Sequence, residues 1–222
     1  MIWSVQYLRF LASILVVLYH GTQSLSKDLD SQAFETWNIG ARGVDIFFVI
    51  SGFIIVLVTE RSHDTPGRFI LKRLWRVAPI YYLATSAIIA IALVAPALLA
   101  TTKLELGHVV ASFLFLPVDH PVAFSTFPVL PVGWTLNCEV QFYVLFAMLF
   151  SLPQRMRVAA VSLAIVVLVA AGFLVQSDQP TFSALTAPIL IEFIFGMLLG
   201  RLWFDAPTRL IHGTCVLTVA CA

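Results

Sequence analysis

The chain has 222 residues, 60% of them hydrophobic and only 11% charged, and its 13 Lys and Arg against 12 Asp and Glu leave a formal net charge of +1. A mean hydropathy of +0.95 lies far above that of a soluble domain and marks a polytopic membrane protein. No basic patch of the kind that binds nucleic acid is visible, so the informative question is where along the chain the few charges stand.

A helix crosses the hydrocarbon layer in about 20 residues, because it rises about 1.5 Å per residue through a layer about 30 Å thick. On that measure, spans are expected at 4–24, 43–59, 77–99, 133–152, 158–176 and 183–203. The fold class is all-α: a transmembrane helical bundle of about six full spans, read as one domain over residues 1–222. A last apolar run, 210–222, is too short to cross, and the chain is expected to end inside an unfinished span. The N-terminus lacks both a charged leader and a small-residue cleavage site, so its apolar stretch reads as a retained span.

The first span carries Arg9 and His20. Eleven residues at 100° each bring them to one helix face, about 16 Å apart. A charge at the centre of a bilayer costs about 2.5–3.5 kcal/mol on insertion scales, so such residues usually have a partner or a task. The bland alternative is that Arg9 snorkels to one interface and His20 sits among headgroups at the other. The second span opens with Asp45, which suits either a helix-dipole role in the first turn or a place beside an imidazole.

Arg61, Arg68, Lys72, Arg73 and Arg76 follow the second span, Arg155 and Arg157 follow the fourth, and Arg201 and Arg209 flank the end of the sixth. Loops of the opposite parity hold only Lys27, Arg42 and Lys103. The positive-inside rule then places the N-terminus and residues 59–76 in the cytoplasm. On a helix, Lys72 and Arg73 stand one turn before Arg76 and form a cationic face beside Trp75. Such a face suits phosphates, or simply anionic lipid headgroups.

Residues 108–132 are apolar enough to pass for a span, but Pro117, Pro121, Pro128 and Pro131 break a helix there. A short helix at 108–116 followed by an outer-face loop or re-entrant segment is expected. Glu139 comes next, six residues into the fourth span, which enters at about Trp134 from the same side as Asp45. His20, Asp45 and Glu139 therefore share the outer half, and an imidazole beside a carboxylate is the usual general base. Asn137, Gln141 and Tyr143 are candidates to orient Glu139 or an acceptor. Trp134, Tyr81 and Tyr82 suit an aromatic belt.

Glu192 is read as a packing or interhelical residue with a weaker claim on the site, and His63, His108, His120 and His212 as solvated. Gly52, Gly196 and Gly200 fit close helix packing. Cys138, Cys215 and Cys221 match neither a zinc site nor a disulfide framework. They are read as packing residues, and no metal site is expected.

Four blocks, in order, resemble the acyltransferase family 3 of integral membrane proteins: Arg9-x10-His20, GVDIFFVISGFII from Gly43 to Ile55, RFILKRLWRVAPIYY from Arg68 to Tyr82, and WTLNCEVQFY from Trp134 to Tyr143. FIFGMLLG, Phe193 to Gly200, resembles a later block. Thr135 stands where the family commonly has serine, and Val140 where a second acid is frequent, so Glu139 is the block's one carboxylate.

The resemblance implies a multi-pass O-acyltransferase of the cell inner membrane that takes an acyl group, acetyl in the first instance, from cytosolic acyl-CoA to a hydroxyl of a cell-surface glycan or lipid-linked acceptor. It implies catalytic roles for His20, Asp45 and Glu139. Donor phosphates would fall to Arg9, Arg68, Lys72, Arg73 and Arg76. Acyl-CoA enters as a substrate, with no permanently bound cofactor. A proton-coupled transporter is the alternative, since intramembrane acids and a histidine also make proton pathways.

Overall fold

A computed structural model describes residues 3–205 apart from 29–37, 61, 63, 97–98, 100–102, 123–124 and 176. Arg61, His63, Arg209, His212, Cys215, Cys221 and the apolar run at 210–222 lie outside the described residues. The described residues are helical, without strands: α1 (Trp3–Asp28), α2 (Arg42–Thr59), α3 (Pro66–Val94), α4 (Leu106–Phe113), α5 (Trp134–Met148), α6 (Gln154–Val175), α7 (Pro180–Leu185) and α8 (Ile191–Asp205). Short 3₁₀ turns precede α2, α5 and α8.

Arg42–Thr59, Pro66–Val94, Gln154–Val175 and Pro180–Asp205 are long and apolar enough to cross a membrane. The first expected span lies within α1, whose 26 residues suffice in length but are less apolar. The fourth is shorter than expected: α5 has 15 residues, about 22 Å. The expected span at 183–203 is divided, because Pro188 has no N–H to offer and a 3₁₀ turn, Pro188–Leu190, separates α7 from α8.

The third helix starts well before the expected 77. Thr65 is its N-cap, accepting from the Arg68 N–H at 3.4 Å, and Pro66 fills the first turn. Both are ordinary start signals. The basic segment is thereby continuous with the span, and Arg68, Lys72, Arg73 and Arg76 stand on one helix with it.

Helices α2 and α8 touch backbone to backbone. A Cβ added at Gly52 would collide with the Phe193 carbonyl oxygen, and one at Gly196 with that of Val49. Gly200 sits against Val56, so all three glycines serve close packing. Phe193 stacks at 4.7 Å on Phe48 and at 4.3 Å on Phe142, which ties α8 to both α2 and α5. The aromatic core continues through Phe146 and Phe69 to Phe150.

At the α2 C-terminal end, polar groups close the bundle. Arg157 donates to the carbonyls of Phe150 and Leu152 at 2.6 and 2.9 Å and lies over the Phe150 ring at 4.1 Å. Gln154 donates to the Val56 carbonyl at 3.0 Å, and Arg201 pairs with Glu60 at 2.9 Å.

At the other end, residues 114–122 and 125–130 are irregular after the short α4, as the prolines predicted. Ser112 Oγ accepts from the Val129 N–H at 3.0 Å, and His108 Nε2 lies 2.9 Å from the Phe127 carbonyl. His108 is therefore buried rather than solvated, because its ring ties the segment to α4. Tyr81 is also buried, against Phe115 at 5.1 Å, and its hydroxyl donates to the Ser112 carbonyl at 3.2 Å. Phe115 itself has φ 56°, an uncommon region for a bulky residue. Its ring is seated against Tyr81 and Tyr82 there.

Candidate active site

One cavity of about 310 Å³ runs along α2 from Val44 to Ile55, a rise of about 16 Å. Arg9 and His20 line it from α1, Ser51 from α2, Arg73 and Arg76 from α3, and Glu139 and Tyr143 from α5. The shared face expected of Arg9 and His20 is the face α1 presents to this cavity.

Glu139 is seated by two hydroxyls. Ser51 Oγ donates to its Oε1 across 2.7 Å. Tyr143 Oη, one turn along α5, donates to the same oxygen. Two donors to one oxygen fix the position of the carboxylate. Oε2 has no hydrogen-bond partner among the described residues.

At the α3 wall the chemistry is cationic. The Arg73 guanidinium lies 5.8 Å from the Phe69 ring centre, and its Nε is buried without a hydrogen-bond partner among the described residues. A buried donor left unmade costs about 1–3 kcal/mol. An anion reaching this wall would remove that cost.

Lys72 and Arg68 do not line the cavity. Lys72 Nζ binds both oxygens of Asp64 at 2.8 Å. That contact is the main cause holding the Asp64 carboxyl below its ordinary range, with a hydrogen bond from Ser62 next.

Asp45 belongs to a neighbouring cavity of about 830 Å³, also lined by His20, Tyr19 and Arg42. It pairs with Arg42 at 3.2 Å. His20 lies at the junction, lining both cavities, and Trp134 is a wall of both. The imidazole meets the Tyr19 ring edge-on at 5.5 Å. Among the described residues neither Asp45 nor Glu139 hydrogen-bonds it; the cavity brings His20 and Glu139 together without joining them.

Of Asn137, Gln141 and Tyr143, only Tyr143 bonds Glu139. Gln141 instead donates to the Leu185 carbonyl at 2.7 Å. Glu192 is half-buried on α8 and lines neither cavity. Ser51 is the site residue that sequence reasoning missed. Its signal was a single hydroxyl inside an otherwise apolar span, just before Gly52.

The model of the family described as an acyltransferase domain, acyltransferase family 3, matches residues 2–222. The chain belongs to this family. Among relatives of this acyltransferase family chain is the exopolysaccharide production protein ExoZ of Rhizobium meliloti (strain 1021), 42% identical over 167 residues, 75% of this chain and 52% of the relative. Another is the acyltransferase MdmB of Streptomyces mycarofaciens, 26% identical over 218 residues, 92% of this chain and 53% of the relative. The peptidoglycan O-acetyltransferase OatA of Listeria monocytogenes is 29% identical over 157 residues, 64% of this chain and 23% of the relative. The chain thus spans about half the length of the first two relatives. No solved structure matches it.

Proposed function

We infer that the protein is a membrane O-acyltransferase moving an acyl group, acetyl in the simplest case, from acyl-CoA to a hydroxyl of a glycan or lipid-linked acceptor. The observation that carries this reading is the single elongated cavity, with an arginine wall along one side and His20 at the junction with a second cavity. Family membership supports transfer chemistry over proton-coupled transport. ExoZ is named for exopolysaccharide production and OatA for O-acetyl transfer to peptidoglycan, which supports a glycan acceptor here.

In this reading the α2 C-terminal end faces the cytoplasm, as does the N-terminus, and the Trp134 end faces outward in the inner membrane. About six spans and a further partial one then make up a single domain over 1–222. Arg9, Arg73 and Arg76 hold the donor's phosphates, the first at the α1 wall and the others at the α3 wall. Arg68 and Lys72, outside the cavity, add longer-range attraction for an anionic donor.

The donor's extended arm lies along the cavity with its thioester toward His20. His20 takes the proton of the acceptor hydroxyl as that oxygen attacks the thioester carbonyl. Collapse of the tetrahedral intermediate breaks the C–S bond, and the leaving thiolate recovers the proton from the imidazolium. An alternative course, in which the imidazole itself carries the acyl group before the acceptor takes it, uses the same placement. Glu139, fixed by Ser51 and Tyr143, supports the positive charge on the ring, with Asp45 acting from the second cavity.

The test is His20→Ala in the full-length protein, measured as acyl transfer and as the inserted fraction. Transfer is expected to disappear while insertion is unchanged or improved, because a polar group has left a membrane helix. Near-normal transfer would remove His20 from the chemistry.

A further inference from the structure

Beside the site lies a third, smaller cavity of about 130 Å³, and its lining is uncharged. Asn137, Gln141 and Thr126 are its amide and hydroxyl residues, and Trp134 and Phe127 its aromatic ones. Asn137 is 6% exposed, and its Oδ1 is buried without a hydrogen-bond partner among the described residues. Native proteins rarely leave such a group unmet unless something else comes to it.

The walls are held in place. Gln141 fastens the Leu185 carbonyl to α5 at 2.7 Å, and Thr181 Oγ1 donates to Asp119 at 3.0 Å, so the α7 segment is tied both to α5 and to the irregular segment after α4. Trp134 lines this cavity and both of the others, and Phe127 lines this one and the Asp45 cavity. An occupant here is therefore one side chain away from the space that His20 faces. The volume exceeds what a single water needs, which is about 10–15 Å³.

We propose that this cavity is the acceptor subsite and receives a neutral polyhydroxyl group, a sugar ring by chemical class, one of whose hydroxyls donates to Asn137 Oδ1. The proposal rests on the O-acyltransferase reading and specifies its acceptor side. Amide and hydroxyl groups beside aromatic rings meet both the polar edge and the C–H face of a sugar. The absence of a lining cation removes the attraction that an anionic acceptor would need.

The test uses full-length protein in nanodiscs with methyl glucoside as probe and methyl glucuronoside as its anionic counterpart. Saturation-transfer NMR reads binding, and acyl transfer reads KM and kcat. Asn137→Leu is expected to abolish the saturation-transfer signal and raise KM for the glucoside about five- to tenfold, the loss of one buried hydrogen bond. Ala187→Leu fills the same cavity from the opposite wall and should raise KM likewise, which keeps the test open if Asn137→Leu does not insert. Wild-type transfer with KM and binding unmoved in both variants overturns the subsite alone. Preferential binding of the glucuronoside overturns the neutral class. Glucoside binding that Asn137→Leu abolishes, in a wild type that transfers no acyl group, upholds the cavity as a sugar site while defeating the O-acyltransferase reading.

Discussion

Ser51 Oγ donates to Glu139 Oε1 across 2.7 Å, linking α2 to α5 at the centre of the cavity. The Tyr143 hydroxyl reaches the same oxygen from α5 itself. The acid is thus held between two helices that the sequence separates by 88 positions, and its geometry depends on how those helices pack.

Because both donors serve one oxygen, their losses should not add. Ser51→Ala and Tyr143→Phe are each expected to lower transfer by about ten- to a hundredfold, as expected from the about 1.5–3 kcal/mol typical of hydrogen bonds to a charged group. The double variant should show a coupling energy of about 1 kcal/mol in a double-mutant cycle on kcat/KM. Strict additivity would mean that the two hydroxyls act on separate groups.

The arginine wall and the Asp64-bound lysine make different predictions for the donor. Replacing Arg73 and Arg76 with Gln should weaken acyl-CoA binding by at least about tenfold, as expected from loss of charge-assisted contacts. Lys72→Gln should change it far less, because Lys72 is engaged by Asp64 outside the cavity. Affinities are compared in the correctly inserted fraction, since removing basic residues also alters the topology signal. Equal affinity in wild type and the double variant would return the arginines to a purely topological role.

Packing of α8 on α2 gives a stability prediction independent of function. Gly196→Leu should prevent the two helices from closing, since even a Cβ there would stand 2.8 Å from the Phe53 nitrogen. Gly107→Leu is the control, because a Cβ at Gly107 meets nothing within 4 Å. Thermal unfolding in detergent should show a large loss for the first and little change for the second.

The Asp64 carboxyl titrates below its ordinary value because Lys72 hydrogen-bonds its charged form. A depressed folded pKa contributes stability that is present above the unfolded value of about 3.9 and is lost as pH falls through the lower folded one. The pair is exposed, so the effect is small and screened by salt. Unfolding midpoints of wild type and Asp64→Asn should converge toward the acid end of that window and separate above it. Curves that stay parallel throughout would mean that Lys72 does not stabilise the Asp64 carboxylate.

Apolar run length and proline position by themselves determined the helical class, the placement of α2 and α6 and the break after α4, because these depend on local hydropathy and on donors the backbone lacks. The start of α3 was also present in the chain as Thr65 and Pro66, but the apolar criterion began the span later and outweighed that local signal. Residue spacing placed Arg9 and His20 on one face, which is a property of a single helix.

Tertiary structure decided what spacing cannot: Glu139 meets Ser51 rather than His20, Asp45 pairs with Arg42 in a separate cavity, and the basic face divides between the cavity-lining arginines and an Asp64-bound lysine. Each of these depends on the rotation and closeness of neighbouring helices. Those are set by glycine contacts such as Gly52 with Phe193 and by aromatic stacking through Phe142, interactions between residues far apart in the chain.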